Sequence, residues 1–337
     1  MSEDELTDAE FEAFLEKNPS TLPPFSYTFR GIDQEGVRNA LVSVMQPLAD
    51  LMSRLFSLKG LDGVTVATDY HEALNALDRG ADAKERITPT TESFGTGLAM
   101  ALGIVKDGRM RTHVVLQAGL AGGLLSDDPG LRALSVHTFM HELGHVAEHT
   151  LDHDRFGAAM VKPYKDRYAF ELYRYSHSAW SEYFASRVSA SWGQDVLEGL
   201  RELFEGSLRQ ALEKITAARR LAGPFSGTAN DDAAMAIIEQ VSKLMKFAGY
   251  VIGHARGEEV EPLEAGSAHR ALLEKLGLSD WFDRLALTLD DLYESRLEWT
   301  DLTVFGPLHR LLEDGCRTFK VELRPDEEYG LAWRIWF

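Results

Sequence analysis

The sequence predicts an α+β protein, a small sheet served by a histidine-bearing helix and followed by a mostly α-helical C-terminal half. Three observations carry this. Short apolar runs separated by turn residues fill the stretch from 63 to 117. Five histidines, at 137, 141, 145, 149 and 153, keep a four-residue step that stacks side chains on a helix. From about residue 194 onward, apolar residues recur at three- and four-residue spacing, interrupted by "GPFSGTAND" (223–231).

Taken in order, "TDAEFEAFLEK" opens with a capping box, Thr7 and Glu10, and predicts a short acidic helix. "NPSTLPP" (18–24) reads as a linker. Residues 33–58 form a long amphipathic helix with Pro47 inside it. "GVTVAT" (63–68) is a strand, and "DYHEALNALDRG" a helix capped by Asp69 and stopped by Gly80. Strands at 96–105 and 110–117 flank Asp107-Gly108, a hairpin signal. A glycine-rich loop, "AGLAGGLLSDDPG", leads into the histidine helix at about 131–150, and a second helix spans about 178–191 from a cap at Ser178. Five helical segments follow, near 194–221, 231–256, 267–276, 280–298 and 306–316, before an apolar end that reads as a strand pair or a docked tail. The expected division is an acidic extension (1–30), a core domain (31–192) and a helical domain (193–337).

At 337 residues and 45% hydrophobic, the chain can bury a large core. Its net charge of −18 argues against a nucleic-acid partner and against an anionic membrane surface, both of which call for a basic face. The longest runs without charge, 93–105 and 113–126, fall short of the roughly 18 residues of a membrane helix. One cysteine, Cys316, precludes an intrachain disulfide, and the N-terminal stretch has no apolar signal segment. A cytoplasmic protein is the expectation.

The chemistry sits in "VHTFMHELGHVAEHTLDH" (136–153), which contains an H-E-x-x-H: His141, Glu142 and His145. Composition alone would produce that spacing about 0.03 times in a chain like this one, so it stands out from chance. Imidazoles at i and i+4 share a helix face and can reach one Zn2+ ion, while the intervening glutamate can serve as general base toward an activated water. A catalytic zinc takes a third protein ligand and keeps one open position. His137, His149 and His153 cannot supply it, because each four-residue step climbs about 6 Å along a straight helix. No glycine between 145 and 153 turns the chain back, which excludes the H-x-x-G-x-x-H arrangement of metzincins. The third ligand is expected at Glu182, in "SAWSEYFASRVSA", with Asp152, Asp154 and Glu171 as rivals. His137 would cap or buttress the site, and His149 and His153 would sit on a different face, exposed or against the helical domain.

"HTFMHELGHVAEH" followed by "SEYFASRVSA" resembles the zincin-type zinc metallopeptidases with a glutamate third ligand, the gluzincin arrangement, and most of all the ImmA/IrrE-like bacterial peptidases. The resemblance covers about residues 31–192. It implies a minimal zincin core, a small sheet with its active-site helix, and a zinc-dependent endopeptidase acting on intracellular protein or peptide substrates. In larger gluzincins an aspartate stands four residues after the ligand glutamate; here that position is Ser186, followed by Arg187.

Attack on an amide builds negative charge on its oxygen, so a hydrogen-bond donor is required. His177 and Tyr175 rank first among the nearby candidates, which include Tyr173 and Tyr183. The strand and loop at 111–123 would be the sheet edge that receives an extended substrate. The alternative is a regulatory or interaction protein whose zincin core is inactive or structural, with a partner or ligand on the helical half; a different zinc hydrolase on the same scaffold is a third. "FAGYVIG" pairs Gly249 with Gly253 at the spacing of tight helix packing.

Overall fold

A computed structural model of the chain describes residues 7–80, 91–92, 95–160, 166–223 and 228–336. The architecture is mixed α+β, with one small mixed sheet and helix predominating. Two compact units are present: Met1–Pro89 with Gly97–Leu151, and Thr90–Thr96 with Asp152–Phe337. Their boundary falls inside one continuous helix.

The first unit begins with helix α1 (Asp8–Lys17), whose capping box is formed as expected by Thr7 and Glu10. Strand β1 (Ser26–Arg30), helix α2 (Glu35–Leu55), strand β2 (Leu61–Ala67) and helix α3 (Tyr70–Asn75) follow. Buried Leu41, Met45, Ala49 and Met52 keep the three-to-four spacing that gives α2 one apolar face. Asp69 caps α3 by accepting from the Glu72 N–H, but this helix ends at Asn75, short of Gly80. Strands β3 (Thr91–Glu92) and β4 (Gly95–Thr96) pair with each other alone. The expected hairpin joins β5 (Ala99–Lys106) to β6 (Arg109–Gln117). Asp107 and Gly108 both take positive φ, 53° and 71°, the requirement of a type I′ turn.

Sheet order is β1-β2-β6-β5, parallel across its first two pairings and antiparallel across the hairpin. This corrects the expectation for 111–123. Strand β6 lies between β2 and β5, so the edges are β1 and β5. The alternating exposure of the five-residue β1 hides it in the sequence. The glycine-rich stretch after β6 is a further correction: Ala118–Gly123 forms a short helix, α4, capped by the Gln117 side chain. Helix α5 (Pro129–Phe156) then carries all five ladder histidines.

In the second unit, helix α6 (Arg167–Ser189) starts eleven residues before the expected Ser178. Asp166 caps it by accepting from the Tyr168 and Ala169 N–H groups. Helices α7 (Leu197–Leu221), α8 (Thr228–Gly257), α9 (Ala268–Leu276), α10 (Ser279–Ser295) and α11 (Gly306–Thr318) match the five periodic segments. The chain closes on an antiparallel hairpin, β7 (Val321–Asp326) with β8 (Gly330–Ile335). Helix α8 crosses α6 through Gly249 and Gly253. A Cβ at Gly253 would stand 2.2 Å from the Tyr183 carbonyl oxygen, so only glycine permits the approach. No helix among the described residues is long and apolar enough to cross a membrane.

Candidate metal centre

Helix α5 sets the geometry of the ladder. The His141 and His145 rings meet edge-on at 4.8 Å, whereas the flanking pairs, His137–His141 and His145–His149, are 6.5 Å apart. The H-E-x-x-H pair is therefore the converged one. His141, Glu142 and His137 are buried, at 9%, 6% and 7% exposure. His149 is tied to the sheet by a 2.9 Å contact between its Nδ1 and the Thr112 hydroxyl of β6. That differs from the expected face, exposed or against the helical domain, because the strand supplies a partner for the ring.

Glu182 lies on α6 and is buried, with Lys246 of α8 at 3.2 Å from its Oε1. His141 and His145 belong to the first unit and Glu182 to the second. The donor set, two imidazole nitrogens and one carboxylate oxygen, is one zinc accepts. Of the rival ligands, Asp154 is exposed and Glu171 is held by Arg174 at 2.9 Å. Asp152, fully buried, instead meets His177 Nε2 at 3.1 Å.

The two candidate oxyanion donors stand in different surroundings. His177 lines a cavity of about 400 Å³ along α6 with Phe170, Tyr173, Arg174, Ser178, Ser181 and Glu182. Its Nε2 meets Asp152 Oδ2 at 3.1 Å, and its ring packs on Tyr173 and on the edge of Phe305. Tyr175 does not line that cavity; its hydroxyl accepts from Arg174 at 3.0 Å, and burial raises its pKa.

Arg187 serves the helix that bears Glu182. Its guanidinium donates to Tyr183 Oη at 2.5 Å, pairs with Glu294 at 3.2 Å and lies over the Tyr293 ring at 3.8 Å. Tyr183 in turn donates to Asp290 at 2.7 Å, which also pairs with Arg256. Ser186, at the place of the gluzincin aspartate, is buried.

Sequence reasoning missed Lys246 and Tyr70. Lys246 is one of several charged residues on an amphipathic helix, and nothing in its spacing marks it. Tyr70 is buried, its hydroxyl has no hydrogen-bond partner among the described residues, and burial together with the charge of Glu142 raises its pKa. No family model matches this chain, and no curated protein or solved structure was found to be similar to it.

Proposed function

We propose that this protein is a zinc-dependent peptidase, an endopeptidase of the zincin type, acting on cytoplasmic protein or peptide substrates. The observation that carries the reading is the H-E-x-x-H pair, converged on one helix with its two rings 4.8 Å apart. His141, His145 and Glu182 would hold the ion. Zinc supplies Lewis acidity, polarising a scissile carbonyl and bringing the pKa of a water toward roughly 7.

Glu142, on the turn between the two histidines, takes the proton of the attacking water and returns it to the leaving amine. The oxyanion falls to His177 or Tyr175. With its Nε2 turned to Asp152, only His177 Nδ1 can serve, whereas Tyr175 would have to turn its hydroxyl from Arg174. An extended substrate has β1 and β5 as the sheet edges to pair with.

A second reading, a regulatory or interaction protein with an inactive or structural core, is favoured by one observation: Lys246 already offers Glu182 a positive charge at 3.2 Å. Zinc analysis separates the two. One zinc per chain, lost in His141→Ala and Glu182→Ala but kept in Glu142→Gln, with casein or peptide cleavage abolished in all three, supports the peptidase. A metal-replete wild type without zinc at these residues sinks it.

A further inference from the structure

Within the second unit, the chain between α8 and α10 lines a cavity of about 390 Å³ that shares no residue with the metal centre. Leu263 and Ala265 give it apolar surface, and Glu261, Arg270, Glu274 and Ser279 bring polar groups to its walls. The walls are fixed from several sides. Ser267 caps α9 by accepting from the Arg270 N–H, and Gly277, at a φ of 71°, ends that helix, so Arg270 and Glu274 stand one turn apart on a short, well-bounded element. Arg201 of α7 donates to the carbonyls of Glu261 and Pro262, each at 2.9 Å, and holds the segment before α9. We propose that this cavity binds a free α-amino acid with a short aliphatic side chain.

The charges argue for a ligand of both signs. Arginine and glutamate four residues apart on a helix can pair, but the Arg270 guanidinium turns instead to Asp283, donating from Nη1 at 2.5 Å, and lies 5.3 Å over the Phe282 ring. That anchoring leaves the Nε–Nη2 edge, the fork that takes a carboxylate bidentately. Ser279 Oγ is buried and has no hydrogen-bond partner among the described residues, so a second donor stands ready for the same carboxylate. Neither Glu261 nor Glu274 forms an ion pair among the described residues, which leaves their carboxylates to an ammonium group. A carboxylate alone would meet two like charges, and an amine alone would meet the guanidinium. An α-amino acid satisfies both.

Size and lining narrow the class. The volume lies at the lower end of the roughly 300–1,000 Å³ of small-molecule sites. Leu263, 2% exposed, and Ala265 offer the ligand side chain only apolar contact, which suits leucine or valine over a charged residue. This inference does not depend on the peptidase reading, since binding here needs neither metal nor turnover.

The test is isothermal titration calorimetry on the full chain with L-leucine and L-valine. The controls are 4-methylpentanoate, which is leucine without its ammonium group, and 3-methylbutylamine, which is leucine without its carboxylate. One L-leucine per chain is expected, with each control weaker by roughly tenfold or more, the worth of one charge-assisted contact. Arg270→Gln and Ser279→Ala should each weaken L-leucine binding, with circular dichroism verifying the fold; Ser279→Ala removes only a hydroxyl that bonds nothing among the described residues. Absence of binding by both amino acids would overturn the site. Binding of 4-methylpentanoate as tight as that of L-leucine would overturn the amino-acid reading, and an L-leucine affinity unmoved by either substitution would place the ligand outside this cavity.

Discussion

Lys246 Nζ stands 3.2 Å from Glu182 Oε1, so a cation from α8 sits against the carboxylate proposed as the third metal ligand. On that proposal the ammonium and the ion would compete for the same negative charge. Replacing Lys246 with methionine should tighten zinc binding by about tenfold, or ~1.4 kcal/mol, the order expected for removing a like charge near a partly exposed site. Competition against a chromogenic chelator reads this directly. Weaker binding in Lys246→Met would instead mean that the lysine holds Glu182 in its liganding position.

Glu142→Gln keeps shape and hydrogen-bonding capacity but removes the base. Zinc content should be unchanged, while kcat on a cleaved peptide drops by roughly 10²–10⁴-fold, the usual worth of a general base. Unchanged turnover would move the base elsewhere.

At Gly253 the backbone of α8 meets that of α6. A Cβ there would stand 2.2 Å from the Tyr183 carbonyl oxygen and 2.8 Å from its Cα, and neither can swing aside. Gly253→Ala should cost about 2–3 kcal/mol by overpacking and shift the helix that bears Glu182. The thermal midpoint and zinc affinity are expected to fall together. A fall in the midpoint with zinc affinity intact would show that α6 holds Glu182 without help from this crossing.

Across β2 and β6, His113 bridges Thr65 Oγ1 at 2.9 Å and Asp62 Oδ2 at 3.1 Å. Its approach relies on Gly63, where a Cβ would lie 2.8 Å from the ring. Burial, only partly offset by Asp62, holds the His113 pKa below its ordinary value. As pH falls below about 6.5 the unfolded chain takes up a proton that folded His113 refuses, so stability drops from there toward the folded pKa and is flat above. Asp62 has the same sign at lower pH: burial opposes its ionisation, but Lys106 and His113 win and lower its pKa, so its contribution is lost only below the usual carboxylate range. Thermal midpoints at pH 7.5 and 5 should differ more in the wild type than in His113→Gln; equal slopes would exclude this histidine as the source.

How much of this was legible depended on what each element buries. Helix α2, the I′ hairpin and α7 to α11 each bury one stripe, and their apolar spacing reports it. Helix α6 was half hidden, because its first turns, "RYAFELYRYSH", mix aromatic and charged residues without a clean stripe, which drew its start to Ser178 in place of Asp166. Strand β1 is too short, and too exposed on alternate residues, to announce itself. At the site, His141, Glu142 and His145 were readable because one helix fixes their spacing. Glu182 came from the surrounding residues, whereas the Lys246–Glu182 contact depends on the crossing of α6 and α8, which no local pattern encodes.

The length of α5 has a consequence for how this chain can vary. One unbroken helix holds His141, His145 and the buried Glu148 at fixed rotation, so a residue inserted or deleted between 145 and 148 would turn the histidine pair against Glu148 by about 100°. A length change inside that turn would be ruinous. In a set of sequences with this helix, the count of residues from His145 to Glu148 should stay constant.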